Sequence, residues 1–379
     1  MKRGLFVLFV SFGLSWSITC NAQQRKPAAR QVKQQTPEEL YNKGVDYFFG
    51  KNGCLADTLK AINLFRKSAE QGYAPAQFDL GLSYERGYGV KQNYSEAVEW
   101  YRKAADSGNA LAQNYLGAAY EEGKGVPRDY SEAVSWYRKS AEQGYAVAQY
   151  NLGRCYQDGI GVSDVNLAIE WFQKAAEQDN TSAMRRLYFI YSEGENIQKD
   201  LKKAKLWLDK GAELEDKVCE YLKGYNFHYG EDGYPIDIKQ AVFWYERSAN
   251  HGYAMAAGHL GSIYSEGELG EKDVSKAIYW YQKASDGGER MAKCFLADYY
   301  RYGDGVELNR EIAFNLKRES AVLGFPLAQV ELGEMFRDGI GCIKDLDAAR
   351  FWFQKAIDNK ESDQDLKDLA KSLLQSTYK

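Results

Sequence analysis

The sequence predicts an all-α solenoid, a stack of about nine helix hairpins ending in one C-terminal helix, and three observations predict it. Asp or Asn recurs at Asp57, Asn93, Asp129, Asp164, Asp200, Asp237, Asp273, Asn309 and Asp345, at steps of 35 to 37 residues. Each is followed four residues later by alanine and seven residues later by a large apolar residue: Leu64, Trp100, Trp136, Trp171, Trp207, Trp244, Trp280, Leu316 and Trp352. The stretches between carry their own landmarks, in which Ala76, Leu80, Gly81, Tyr84 and Gly87 return as Ala112, Leu116, Gly117, Tyr120 and Gly123, and as Ala148, Leu152, Gly153, Tyr156 and Gly159. A fixed period of this size marks units that bury their apolar faces only by stacking on one another. Composition agrees, since 379 residues are too many for one compact core, and 45% hydrophobic with 27% charged residues excludes a disordered chain.

The chain opens with Lys2 and Arg3, an apolar run from Leu5 to Ile18, and Cys20, Asn21 and Ala22 before polar Gln23 to Lys26. A basic start, a short apolar run and small residues at the junction predict a secretory signal peptide over residues 1–22. Lipidation of Cys20 is the minority alternative, because Ser17, Ile18 and Thr19 make a poor lipobox. No later stretch reaches the ~18 consecutive apolar residues of a membrane-spanning helix. Residues 23–35 read as a polar linker. Thr36, Pro37, Glu38 and Glu39 then combine an N-cap, a first-turn proline and early acidic residues, so a first helix begins there.

Each hairpin follows from local chemistry. The recurring Asp or Asn is a helix N-cap, and Asn93 with Glu96 and Asp129 with Glu132 have capping-box spacing. Positions four, seven to eight and eleven to twelve beyond the cap share one helical face, so Ala97, Trp100, Tyr101, Ala104 and Ala105 form a single apolar stripe. Gly72, Gly108, Gly144, Gly252, Gly288 and Gly324 end these helices. In the other helix of each pair, the glycine beside Leu permits close approach of the partner. The solenoid spans residues 36–358, and Leu366, Leu369, Leu373 and Leu374 predict a capping helix within residues 359–379.

Charge and motifs exclude several classes of function. Removing residues 1–22 leaves 47 basic against 53 acidic residues, a net −6 with scattered cations, which argues against nucleic-acid binding. Five cysteines remain in that span, odd in number and far apart, so neither a disulfide framework nor a metal site is expected, and no cofactor is implied. The Gly-x-Gly pairs at Gly87/Gly89, Gly123/Gly125 and Gly159/Gly161 fall between helices at the repeat period and read as turns, not phosphate loops. His251 and His259 fall on variable polar positions and read as solvent-facing; His228 lies in an irregular unit and has no catalytic constellation around it.

The run from Ala112 to Gly144, with Leu116-Gly117, Tyr120, Gly123-x-Gly125-Val126, Asp129, Ala133, Trp136-Tyr137 and Gly144, resembles the Sel1-like repeat, a relative of the tetratricopeptide repeat. The resemblance covers about residues 37 to 358. Departures are Tyr188 and Ala297 in place of the Leu-Gly glycine, Leu208 and Lys317 in place of the second aromatic, and an extra residue between Asp216 and Asp237. The resemblance implies a right-handed superhelix with a concave groove lined by the first helix of each pair.

The resemblance also implies a non-catalytic scaffold that binds a protein or peptide, and the N-terminal signal predicts export to the periplasm or cell surface of a Gram-negative bacterium. Groove positions carried over from tetratricopeptide repeats are Phe78, Leu82, Glu85, Arg86, Asn114, Glu122, Tyr150, Arg154, Asp158, Arg185, Phe189, Glu193, Asp298, Arg301, Tyr302, Glu334 and Arg337. Two other readings stay open. A hydrolase of the β-lactamase-like, cysteine-rich type is disfavoured because paired cysteines are missing and the one Ser-x-x-Lys match, Ser376 to Lys379, is at the extreme C-terminus. A glycan- or peptidoglycan-binding module would need exposed aromatics, whereas the in-register tryptophans read as core.

Overall fold

The computed structural model describes residues 35–378 apart from Val162 and Glu195. The expected signal peptide, its lipidation alternative at Cys20 and nearly all of the polar linker lie outside the described residues. Within them the chain forms nineteen α-helices and no strand. In order these are α1 (Pro37–Phe49), α2 (Thr58–Glu70), α3 (Ala74–Arg86), α4 (Tyr94–Asp106), α5 (Ala110–Glu122), α6 (Tyr130–Glu142), α7 (Ala146–Gln157), α8 (Val165–Ala176), α9 (Thr181–Glu193) and α10 (Leu201–Glu213). There follow α11 (Lys217–Tyr229), α12 (Ile238–Asn250), α13 (Ala254–Glu266), α14 (Val274–Asp286), α15 (Arg290–Tyr302), α16 (Arg310–Val322), α17 (Pro326–Asp338), α18 (Leu346–Asp358) and α19 (Gln364–Ser376). Each helix packs mainly on the one before and the one after, so the pairs α1–α2 to α17–α18 are nine hairpins in a line.

The caps form where the sequence places them, with one difference. Thr36 makes a complete capping box with Glu39. Asn93 and Asp129 cap α4 and α6 through their side chains, but their own N–H groups donate to the Tyr84 and Tyr120 carbonyls. Glu132 is therefore free to accept from Trp136 Nε1 at 3.1 Å. Gly72 and Gly144 take the left-handed conformation after α2 and α6, and where glycine is missing Asp179 and Glu215 adopt it instead.

One contact explains both the Leu-Gly glycine and its exceptions. A Cβ on Gly117 would lie 2.8 Å from the Tyr137 ring, and the same conflict holds for Gly81 with Tyr101, Gly153 with Phe172, Gly261 with Tyr281 and Gly333 with Phe353. A full aromatic ring on the second helix thus requires a bare backbone on the first. Where the glycine becomes Tyr188 the ring becomes Leu208, and where it becomes Ala297 the ring becomes Lys317. The four departures are two coupled exchanges.

Polar ladders run through the same junctions. The Tyr101 hydroxyl donates to Glu85 and the Tyr137 hydroxyl to Glu121, both at 2.7 Å. In the next unit Phe172 has no hydroxyl, and Gln157 Oε1 in the matching position is buried without a partner. A second ladder has Gln143 donating to Gln113, Gln178 to Gln149 and Asn359 to Gln329. Gln77 should be served from position 107, where Ser107 is too short, and Gln77 Oε1 is likewise unpartnered. Phe172→Tyr and Ser107→Gln are each expected to stabilise by about 1 kcal/mol, the net worth of a hydrogen bond made to a buried orphan. The check is a higher urea midpoint at unchanged slope.

At the C-terminus α19 closes the stack, but not with all four predicted leucines. Leu366, Leu373 and Leu374 pack on the last hairpin, whereas Leu369 is exposed and Ala370 is the fully buried contact. The small residue allows α19 to approach α18 closely.

Candidate functional site

The odd-numbered helices contact one another from unit to unit and build one continuous face. Phe78 meets Tyr115 at 5.2 Å between ring centroids, Asn151 donates to Asn114 at 3.0 Å, Arg154 pairs with Glu121 at 2.6 Å, and Tyr221 bonds His259 at 3.2 Å. The slot just after the Leu-Gly landmark is half-buried or exposed in every unit from α3 on, and it holds Leu82, Ala118, Arg154, Phe189, Tyr225, Ser262, Asp298 and Glu334. No two of these are alike, whereas the slots facing the even helices repeat.

The predicted groove residues fall on this face with two corrections. Phe78 and Asn114 are buried, because both lean onto the next unit instead of projecting from the stack. Leu82 is half-buried; Glu85, Arg86 and Glu122 line a cleft of about 330 Å³ with Tyr101, Tyr115 and Lys124. Glu85 pairs with Arg86, and Glu122 with Lys124. Tyr150 packs on Phe172, and Asp158 and Glu193 are exposed. Phe189 is exposed beside Tyr188, while Arg185 reaches Ser182 and lies 3.9 Å from Asp216. Farther along, Asp298 is taken by Lys317, Arg301 lies over the exposed Tyr302 ring at 5.4 Å, and Glu334 and Arg337 pair on one turn.

Sequence reasoning named no groove residue in the sixth and seventh units. Lys223 stands where Leu is expected, so no landmark marked α11, yet counting from Gly224 puts Tyr225 and Tyr229 in the slots of Leu82 and Arg86. Among the histidines, His251 is exposed as expected, whereas His259 is half-buried instead of solvent-facing. His251 Nδ1 contacts the fully buried Glu220 at 2.7 Å, and Arg247 completes that pair at 2.9 Å. His259 stacks on Tyr245 with centroids 5.1 Å apart, and burial, with the nearby His228, pushes its imidazole down to about 4. His228 is buried, contacts Glu268 at 2.8 Å and stacks on Tyr229. His251 and His259 fall on positions that vary from unit to unit, which is why their contacts left no sign in the sequence.

Electrostatics along the face are set by burial and pairing. Burial alone would raise the Glu121 carboxyl, but Arg154 and Tyr137 hold it below the usual range. Asp79 has only the Tyr41 hydroxyl, at 2.8 Å, and burial pushes it up to about 6. A carboxyl with a raised folded pKa favours folding while protonated; that contribution is present below about pH 4 and is lost as pH rises through about 6. Asp79→Asn is therefore expected to raise the melting temperature at pH 7.5, with the gain vanishing by about pH 4, as thermal melts at the two pH values will show.

The remaining chemistry is structural. Trp100, Trp136, Trp207 and Trp280 are buried and Trp171, Trp244 and Trp352 half-buried. Lys103, Lys139 and Lys174 lie within 3.9 Å of the Trp100, Trp136 and Trp171 ring centroids, covering the faces a sugar would need. The five described cysteines are free, and burial pushes the Cys155 thiol up to about 12. Among the described residues no group of three or more His, Cys, Asp or Glu side chains could hold a metal ion, and no helix is long and apolar enough to cross a membrane. Ser376 is exposed and donates to the Leu373 carbonyl; its would-be partner Lys379 lies outside the described residues.

Comparisons with known proteins agree with this architecture. The Sel1 repeat family model matches nine times, at residues 40–73, 74–109, 110–145, 146–180, 181–216, 218–253, 254–289, 290–321 and 326–360. Among solved structures, the chain is similar to c5321, described as a protective antigen present in uropathogenic Escherichia coli strains and displaying an SLR fold. The identity is 30% and the TM-score 0.65, covering 90% of this chain and 87% of that one. It is also similar to a Sel1 repeat protein from Oxalobacter formigenes, at 29% identity and a TM-score of 0.64, covering 79% of this chain and 86% of that one. No curated protein matches.

Proposed function

The chain belongs to the Sel1 repeat family, and from that premise we propose that it is a non-catalytic interaction scaffold of the bacterial envelope, holding a protein or extended peptide along the concave groove of its odd-numbered helices. The observation that carries the reading is the contrast between slots. Residues packed between helices repeat from unit to unit because stacking pins them, while the slot from Leu82 to Glu334 is accessible and different in every unit. A row of dissimilar side chains on a rigid support suits one particular partner, with little ordering cost on the scaffold's side. Mixed Tyr, Phe, Arg and carboxylates are the composition of a protein-binding surface.

Export is part of the proposal. It rests on the basic and apolar start of the sequence, and the similar protein described as a protective antigen supports it. The test uses residues 23–379 as bait on envelope and culture fractions, with captured proteins identified by mass spectrometry. A partner lost on Arg154→Ala or Phe189→Ala, and kept on Phe243→Ala of the even-helix face, supports the groove. Capture indifferent to both odd-face variants and lost on Phe243→Ala moves the site to the other face.

A further inference from the structure

The odd-helix face is not uniform, and its densest aromatic group lies between α11 and α13. Tyr221, Tyr225 and Tyr229 follow at the four-residue spacing that places side chains on one helical face. Tyr225 and Tyr229 have centroids 4.6 Å apart, and His259 of the next unit lies 6.1 and 6.5 Å from them. Tyr253 closes the other end, 5.0 Å from Tyr221. Tyr221 is buried and braces the group, whereas the Tyr229 ring is 46% exposed.

Two features describe the surroundings of this group. At Trp136 and Tyr302 the chain supplies its own cation, Lys139 at 3.7 Å and Arg301 at 5.4 Å from the ring centroids. Among the described residues no Lys or Arg stands over Tyr221, Tyr225, Tyr229 or Tyr253. The charges around Tyr229 are instead carboxylates: Glu231, Glu266 and Glu268 surround it and, after burial and Tyr225, push its hydroxyl up. Glu268 is held by His228, but Glu231 and Glu266 are exposed and, among the described residues, in no ion pair.

His228, tied to Glu268, stacks on one side of the Tyr229 ring at 4.3 Å; the exposed side, beside the unpaired Glu231 and Glu266, lacks one component, an organic cation. We infer that the Tyr225–Tyr229–His259 cluster binds a Lys or Arg side chain of a basic segment in the partner, with Glu231 and Glu266 facing the charge. The inference rests on the groove reading above and narrows it. The sixth and seventh units grip a cationic stretch of the peptide, while Arg154 and its neighbours grip another part. Desolvating the cation between rings and carboxylates gives selection for charge as well as affinity.

The test is fluorescence anisotropy of the protein with labelled peptides of equal length, one Lys/Arg-rich, one Glu/Asp-rich and one Ser/Gln-rich. The Lys/Arg-rich peptide is expected to bind at least about tenfold more tightly than the other two. Tyr229→Leu, which keeps apolar bulk, should weaken it about three- to thirtyfold, and Tyr229→Phe, which keeps the ring, should not. Exposed Tyr279 of α14 serves as control, with Tyr279→Leu expected to leave binding unchanged. If Tyr229→Leu melts abnormally, Glu266→Lys on the exposed last turn of α13 replaces it and should weaken binding likewise.

Equal affinity for the three peptides, or basic-peptide binding indifferent to both Tyr229→Leu and Glu266→Lys, overturns the inference. Binding of the acidic or neutral peptide alone, lost on Arg154→Ala, overturns it while leaving the groove reading intact. Failure of all peptides together with failure of the capture experiment removes both.

Discussion

Trp136→Ala is expected to cost about 3–5 kcal/mol, as truncating a core aromatic does. Trp136 lies on α6 and is 7% exposed, yet the core cluster it belongs to is otherwise built from α3, α4 and α5, with Phe78, Ala97, Tyr101 and Leu116 among its members. The indole therefore joins one hairpin to the one before it. Its Nε1 donates to Glu132 and its face carries Lys139, so truncation removes a packing contact, a hydrogen bond and a cation–π contact together. In a linear array each unit is held only by its neighbours, so the loss falls on one junction and is not shared by the whole molecule. A thermal melt should show a lower and broader transition. An unchanged melting temperature would contradict the assignment of the recurring tryptophan to the junctions.

Lys317→Met is the second large effect, expected to cost about 3 kcal/mol because it leaves two half-buried carboxylates without the cation they share. Lys317 is fully buried, and its ammonium donates to Asp298 at 3.0 Å, to Glu331 and to the Cys294 sulfur at 3.1 Å. Burial would lower its pKa, but Cys294, Glu331 and Asp298 hold it above the usual lysine range, so it is charged at neutral pH. Burial already raises the Asp298 carboxyl, and without the cation Asp298 and Glu331 face each other as like charges. The penalty of Lys317→Met should therefore shrink as pH falls and the Asp298 carboxyl, already raised by burial, takes up a proton, which urea melts at pH 7.5 and pH 4 would compare.

The same site offers a second comparison of opposite sign. Lys317→Tyr alone would push a ring into the Ala297 methyl, and Ala297→Gly should relieve it, since neighbouring Gly333 leaves that room for Phe353. A coupling of about 1–3 kcal/mol between the two changes is expected from a double-mutant cycle. Additive effects would mean that the glycine and the ring are independent after all.

These couplings mark where the sequence was readable and where it was not. Period, caps, glycines and the apolar stripe are local properties of the chain, and the nine hairpins follow from them. The link between Ala297 and Lys317, or Tyr188 and Leu208, is a contact across a hairpin; both members stand in the sequence as departures, but only packing shows that each excuses the other. The groove was readable in register and not in exposure. Phe78 and Asn114 occupy groove slots, yet a large or amide side chain there gains more by leaning on the next odd helix than by facing water. Tyr225 and Tyr229 escaped because Lys223 erased the landmark that locates them, although Lys223 itself is put to use, its ammonium pairing with Asp209 and lying 4.1 Å from the Trp244 ring centroid.

The central claim is that a partner lies along the odd-helix face, and a photocrosslinker placed on each face tests it most directly. Benzoylphenylalanine replaces Phe189 of α9 in one protein and Phe243 of α12 in another; both positions are exposed, and they lie on opposite faces of the stack. Irradiation in envelope fractions is expected to join a defined partner to the protein carrying the label at position 189 and to leave the one labelled at 243 free. The same partner joined only at position 243 would contradict the account.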